Sequence, residues 1–396
     1  MGRKNGWVPI TIAALAFASL GLPDGALGVA WPSIRRELGL PLGELGSLLV
    51  VMTVGHLLSS FGSGPAAARL GAGRLLLWSN LAFAASALGF ALAPGGWALL
   101  LASLVWGTAA GMIDAGLNAY AAARFSPRVI TWLHACFGGG AMLGPVVVGG
   151  MLQAGGSWRG GYAVVAGALG AMTVGLALTR GQLDEAADAA AVAALLPPPP
   201  RLAETLRRRV AWTGAALFCL YTGLEATPGR WAYSLLTEAR GMAPDRAAYA
   251  VAAYWASFSL GRVLSGFAAH RVAPRVLLRA ALAGAPAGAI LVWTGSGGPG
   301  SVVGLMILGL CFAPVFPLLI ALTPDRVGPG HASHAIGLQV SAAALGAGAL
   351  PGAIGLVARR AGLEVVGPFL FGTAVAVLLL YGAVESRARI TPPPSA

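Results

Sequence analysis

The chain is a succession of apolar stretches, each about as long as a bilayer is thick and each cut off by a short breaker. Twelve such stretches can be placed: 8–32, 44–66, 75–94, 97–121, 132–153, 161–180, 210–236, 247–267, 276–294, 301–322, 334–358 and 365–384. Breakers such as Gly71-Ala72-Gly73, Pro94-Gly95-Gly96, Ser126-Pro127 and Ser296-Gly297-Gly298-Pro299-Gly300 fall between them. A bilayer core offers no water to backbone N–H and C=O groups, so only helices and closed barrels cross it. Runs of about 20 residues are helical lengths, because a barrel strand needs only about 10. The chain is 57% hydrophobic and 10% charged, against about 25% charged in a soluble domain. A soluble enzyme is excluded. The expected fold is an all-α membrane protein of twelve transmembrane helices, with no room for a large soluble domain.

The net charge of +12 does not point to nucleic acid. The basic residues sit in the loops between apolar runs rather than on one polar face. Those loops set the orientation, because cytoplasmic loops carry the excess of Lys and Arg. Arg69, Arg74, Arg124, Arg128, Arg180, Arg201, Arg207, Arg208, Arg209, Arg271, Arg275, Arg279 and Arg326 share a side with the N-terminus. Arg35, Arg36, Arg159, Arg230, Arg240, Arg246, Arg359 and Arg360 share the other. Both termini are expected in the cytoplasm and the protein in the cell's inner (plasma) membrane. Arg3 and Lys4 before an apolar run imitate a signal peptide. The run continues past Asp24 to Trp31, so it reads as the first span. Cys136, Cys219 and Cys311 all lie inside apolar stretches. With no CxxC or Cys/His spacing they imply neither a disulfide framework nor a metal site.

One longer polar segment divides the spans six and six. Residues 181–209 hold Asp184, Glu185, Asp188, an alanine run, Pro197 to Pro200 and Arg207-Arg208-Arg209, a composition that cannot bury a core. The expected organisation is a six-helix half at 1–180, a cytoplasmic linker at 181–209 and a second six-helix half at 210–396. A shift of 202 residues brings Gly21-Leu22 onto Gly223-Leu224, Gly39 onto Gly241, Gly107 onto Gly309 and Pro127 onto Pro329. It also brings Gly64-Pro65-Ala66-Ala67-Ala68-Arg69 onto Gly266-Phe267-Ala268-Ala269-His270-Arg271. Two parallel halves around a central cavity are a transporter architecture.

The segment Gly64-Pro-Ala-Ala-Ala-Arg69-Leu-Gly71 resembles the inter-helix gating motif of the major facilitator superfamily, Gly-x-Leu-Ala-Asp-Arg-x-Gly-Arg. Gly64, Arg69 and Gly71 match, with Gly266 and Arg271 as their counterparts in the second half; Ala68 stands where the motif has its acid. Within the superfamily the chain resembles the fucose–galactose–glucose:proton symporters and their relatives. That resemblance rests on Gly21-Leu-Pro-Asp24-Gly-Ala-Leu-Gly28 with Trp31-Pro32, and on Asp114-Ala-Gly-Leu-Asn118-Ala-Tyr120. Those symporters carry an acid in the first span and another in the fourth, followed four residues later by Asn. The resemblance implies a proton-coupling role at Asp114 and a hexose-like cargo.

Ionisable groups inside spans are costly and functional by default. Of fourteen acids, only Asp24, Asp114 and Glu225 lie inside spans rather than in loops, tails or, like Glu44, at a span's first residue. Asp24 reads as a proton relay or a ligand for substrate hydroxyls. Gly107, Gly111, Asp114 and Asn118 step by 4, 3 and 4 and so share a helix face. A polar pair on a glycine-lined face points into a cavity, where a buried carboxyl can hold and release a proton. Glu225 aligns with Asp24 to within one residue in the repeat. It reads either as half of an outer salt bridge with Arg230 or another cation, or as a cavity ligand. His134, Tyr221 and Gln339 join Asp24, Asn118 and Glu225 as candidate substrate ligands, with Asn80 a weaker one. His56 reads as a satisfied bundle histidine, His331 and His334 as facing water, and Trp231 as an interface-belt anchor.

No nucleotide loop, HExxH or GxSxG is present, and no cofactor or enzymatic activity is expected. The expected function is proton-coupled symport of a small polyhydroxylated solute by a monomer, with sodium as an alternative coupling ion. The rival is a proton-driven drug or metabolite exporter, suggested by Gly140-x-x-x-Gly144-Pro145-x-x-x-Gly149-Gly150 in the fifth span.

Overall fold

The computed structural model describes residues 7–125, 127–184, 202–268 and 271–390. Most of the expected linker and the pair Ala269-His270 lie outside the described residues. The long helices are α1 (Trp7–Glu37), α2 (Glu44–Leu70), α3 (Ala72–Leu92), α4 (Gly96–Arg124), α5 (Pro127–Gln153) and α6 (Trp158–Asp184), then α7 (Arg209–Ser234), α8 (Pro244–Ala268), α9 (Pro274–Thr294), α10 (Pro299–Phe312), α11 (Ala332–Ala361) and α12 (Val366–Ile390). Several begin on proline, at Pro127, Pro244, Pro274 and Pro299. That residue costs nothing at a first turn, whose N–H has no helical acceptor anyway. Short connections turn the chain back between successive long helices other than α6 and α7. We call the side where α1 begins the terminal side and the other the far side.

Among the described residues, ten helices are long and apolar enough to cross a membrane. α7 and α8 are not among the ten, although the sequence leads one to expect spans at 210–236 and 247–267. The difference comes from Glu225 and Arg230 in α7, and Asp245, Arg246 and Arg262 in α8, which lower the apolar average. The expected span at 301–322 corresponds to the apolar stretch Pro299–Ala321, which is long enough to cross a membrane but is interrupted. α10 stops at Phe312, and a short helix, Val315–Ala321, resumes after a turn at Ala313-Pro314. Pro314 and Pro317 lie three apart and lack N–H groups, so one ladder cannot run through them. Phe312 is the last residue of α10, and a helix-terminal carbonyl has no intrahelical donor, so it can accept from a side chain.

Helix pairing in the second six helices repeats that in the first. α1 packs on α5, α2 on α4 and α3 on α6; α7 packs on α11, α8 on α10 and α9 on α12. Contacts between the two sets run chiefly through α5 with α8 and α2 with α11. Backbone detail repeats too. Gly39 and Gly241 both sit at φ +65°, a conformation that favours glycine, and each turns the chain after the first helix of its set. A Cβ on Gly107 would fall 1.9 Å from the Met52 carbonyl oxygen; one on Gly309 would fall 2.4 Å from that of Tyr254, the residue 202 positions after Met52. Small residues here let helix backbones touch.

The far-side end of each set is clasped by the same device with reversed charge. Glu37, ending α1, accepts from Arg159 Nε (2.7 Å) and Trp158 Nε1 (2.5 Å) at the start of α6. Arg240, after α7, donates to Glu364 before α12 at 2.9 and 2.7 Å.

Trp231 corrects an expectation. It is not a belt residue: it is fully buried, and its indole N–H donates to the Pro351 carbonyl at 2.8 Å. Hydropathy cannot separate a belt tryptophan from one turned inward by helix rotation. Trp231→Phe is expected to lower stability by about 1–2 kcal/mol, because it strands a buried acceptor. A detergent thermal-unfolding midpoint unchanged from wild type would contradict this placement.

Candidate functional site

The three span acids sit on three helices, and the structure gives each a different partner. Asp24, on α1, meets Arg230 of α7. Arg230 Nη2 donates to the Asp24 carboxylate, and Nη1 donates to the Asp24 backbone carbonyl at 2.7 Å. The side chains are 25% and 9% exposed. The helices can approach because a Cβ on Gly28 would lie 2.0 Å from the Gly229 carbonyl oxygen. The expected alternative of a Glu225–Arg230 pair is therefore corrected: Arg230 reaches across to the other half. Nearer the far side Arg35 grips both carboxylate oxygens of Glu238 at 2.7 Å. Both ion pairs between the two sets of helices, among the described residues, thus lie toward the far side.

Asp114 keeps the local partner that its spacing suggested. Asn118 Nδ2 donates to Asp114 Oδ1 at 2.8 Å and to its carbonyl at 2.9 Å. His56 Nε2, on α2, lies 4.0 Å from Asp114 Oδ2; the side chains are 26% and 36% exposed. His56 is therefore part of the acid's surroundings, which its position in a span did not reveal.

Glu225, on α7, is half-buried. Its carboxylate lies in hydrogen-bond contact with Tyr221 Oη, one turn earlier. The same hydroxyl donates to the Phe312 carbonyl at 2.8 Å. Tyr254, on α8, donates to the Glu225 backbone carbonyl at 2.6 Å.

One residue that sequence reasoning passed over connects these groups. Arg262, on α8, is 6% exposed and stacks on Phe258 at 4.2 Å. Its Nη1 donates to the His134 carbonyl at 2.9 Å, and its buried Nε has no hydrogen-bond partner among the described residues. It acts electrostatically on Glu225 and on His134. His134 also feels Asp114, and Glu225 also feels Asp24. The direct contacts among these groups are Asp24 with Arg230 and Arg262 with the His134 carbonyl, both across the two sets of helices. The available signal was an arginine inside the eighth span, near its terminal-side end, which the orientation count leaves out and to which the sequence reading gives no role.

The other candidates separate. His134 Nδ1 contacts the Ile130 carbonyl at 2.9 Å, and its ring lies 4.8 Å from that of Phe17. Gln339 is buried, accepts from Thr323 Oγ1 at 2.9 Å and lies against Gly214. Gly214 is three turns from Glu225, about 16 Å along the helix axis, so the structure does not bring Gln339 to the acids. Asn80 is buried and donates to the Leu169 carbonyl at 2.9 Å and to Thr173 at 2.8 Å. His331 contacts Thr205 at 2.9 Å. The motif residues Arg69 and Arg271 are exposed on the terminal side, and Gly64 has open space where a Cβ would stand.

This is a helical membrane protein with buried ionisable groups between two sets of helices, the class of a secondary transporter. The Major Facilitator Superfamily profile matches residues 13–351, and the chain belongs to that family, whose members are transporters rather than enzymes. An uncharacterised MFS-type transporter of Yersinia pestis is 26% identical over 386 residues, 94% of each chain. A D-xylose transporter of Levilactobacillus brevis is 29% identical over 109 residues, 28% of this chain and 24% of its own. A crystal structure of a variant of the nucleoside transporter NupG superposes with a TM-score of 0.74 at 13% identity, over 95% of this chain and 99% of that one. The protein is accordingly a multi-pass membrane protein that handles small-molecule substrates.

Proposed function

We propose that the protein is a proton-coupled symporter of a small polyhydroxylated, sugar-like solute, working by alternating access. Twelve spans form two six-helix halves, 1–180 and 210–396, joined by the linker 181–209. The repeated helix pairing and the matched Gly39 and Gly241 turns support a two-fold relation between them. Both termini face the cytoplasm of a monomer in the inner membrane, so the terminal side is the inner face and the contacts at Asp24–Arg230 and Arg35–Glu238 close the outer one. Gly64, Arg69, Gly71, Gly266 and Arg271 belong to the inner-face gating motif.

The observation that carries this reading is Asp114: a part-exposed carboxyl inside a span, held by Asn118 and faced by a histidine rather than an arginine. It takes up a proton without first breaking a strong ion pair. Neutralising it removes the cost of closing a charge into the protein, so the loaded carrier reorients. Asp24 offers its carboxylate to substrate hydroxyls, and relays a proton only once Arg230 has withdrawn. His134, Asn118, Tyr221 and Glu225 line the same region, and Gln339 supports the packing behind it. A membrane potential supplies about 2.3 kcal/mol per charge per 100 mV, about 50-fold accumulation. The D-xylose transporter among the relatives supports a sugar as cargo.

The test is the external pH of weakly buffered proteoliposomes on adding a panel of sugars, D-xylose included, with and without sodium. Alkalinisation with one sugar, absent in Asp114→Asn, is the expected result. No response to any sugar, with cationic drugs or other metabolites driving proton exchange instead, would overturn it in favour of an exporter. A sugar response that needs sodium and leaves pH unchanged would overturn the choice of ion.

A further inference from the structure

We propose that Glu225 is a second proton-carrying carboxyl, protonated in this conformation and discharged when α7 separates from α10. This rests on the symport reading above, which leaves Glu225 as a substrate ligand only.

The argument is a count of protons. Tyr221 Oη touches two acceptors, a Glu225 carboxyl oxygen and the Phe312 carbonyl. A tyrosine hydroxyl carries one proton. If Glu225 were a carboxylate, two acceptors would compete for it, and one oxygen pair would face each other with no hydrogen between them. If Glu225 is a carboxylic acid, the acid donates to Tyr221, and Tyr221 donates to Phe312. Both contacts are then satisfied.

The surroundings agree. Tyr254 spends its hydroxyl on the Glu225 backbone carbonyl rather than on the carboxyl. Arg262 faces the acid from α8, but its Nη1 donates to the His134 carbonyl, and it makes no ion pair with Glu225 among the described residues. Asp24 faces it from α1 and is itself paired with Arg230. α10 brings the Phe312 carbonyl and the Phe312 ring to Tyr221, neither of which titrates. α11 packs on this part of α7 through Gly346 and Leu350, which do not titrate. Tyr381 and Glu385 of α12 lie toward its terminal-side end.

The release step follows from the same count. Moving α7 away from α10 takes the Phe312 carbonyl from Tyr221. The phenol then turns its proton to Glu225, where it stabilises the carboxylate, and the proton of Glu225 passes to water entering where the helices part. Arg262 favours the anion that remains. The half-buried position of Glu225 gives that water access.

The test uses infrared difference spectroscopy on the purified full-length protein, which reads protonated carboxyl groups without any cargo. The expected result is a protonated-carboxyl C=O band that Glu225→Gln deletes, Asp114→Asn leaves in place and Tyr221→Phe shifts in frequency. Glu225→Asp should move the band rather than remove it, which controls for a folding defect in the Gln variant. No such band in wild type, or a band that Glu225→Gln leaves unchanged, overturns the inference. Because no transport is measured, either of those results leaves proton symport through Asp114 standing. Conversely, silent proteoliposomes with an intact Glu225 band would defeat the symport reading alone.

Discussion

Arg230→Met is expected to lower stability by about 3–5 kcal/mol, the cost of leaving a buried carboxylate without its cation. The size follows from burial: the Arg230 side chain is 9% exposed and Asp24 25%. Two opposite charges near contact are worth about 4 kcal/mol at an effective dielectric constant of 20, several times an exposed pair's 0–1 kcal/mol. The pair joins α1 to α7, so its loss should also be felt as motion. Hydrogen–deuterium exchange is expected to rise in the far-side ends of both helices, while α3 and α9 stay protected. Adding Asp24→Asn to Arg230→Met should recover much of the stability, since the uncompensated charge is then gone. A double variant as unstable as the sum of the two single ones would show that the residues act independently and that the pair does not hold the far side closed.

Gly140→Ala is expected to be severely destabilising, and Gly139→Ala next to it nearly neutral. The two residues share one glycine triplet and one helix. A Cβ on Gly140 would fall 1.9 Å from the Ala18 carbonyl oxygen, backbone that cannot move without the whole of α1. A Cβ on Gly139 meets nothing within 4 Å. Overpacking ordinarily costs about 1–3 kcal/mol; with a backbone obstacle the cost should reach at least the top of that range. Displacing α1 also displaces Asp24, so cargo-dependent proton movement should fall with stability. Gly139→Ala gains a little helix propensity, up to about 1 kcal/mol. Thermal midpoints in detergent compare the pair directly. Equal midpoints would mean that α1 and α5 are not in backbone contact here.

Asp114 and Asn118 could be paired from the sequence because four residues is one helical turn and both atoms of the pair lie on one helix. Tyr221 and Glu225 have the same spacing, and that half of the Glu225 environment was equally legible. The Gly140 and Gly144-Pro145 pattern was legible as unusual, but not as to purpose. In the structure both glycines admit the backbone of α1, at Ala18 and around Ala26, which is packing and carries no vote for export.

What the sequence alone determined was the material of a helical membrane protein: the apolar runs, their breakers, the polar linker and the three acids that hydropathy says should not be there. Those follow from local composition, because a bilayer tests each segment separately for length and polarity. Only the tertiary structure decided who meets whom. Arg230 takes Asp24, 206 residues away, instead of Glu225 five residues away, because the approach of α1 to α7 at Gly28 and Gly229 puts the distant carboxylate within reach. Tyr221 finds Phe312 because α10 ends there and its last carbonyl lies toward α7. Trp231 turns inward for want of nothing in its own sequence neighbourhood. Partners across helices depend on the rotation and separation of whole helices, which are set by contacts along their full length and are invisible to any local spacing.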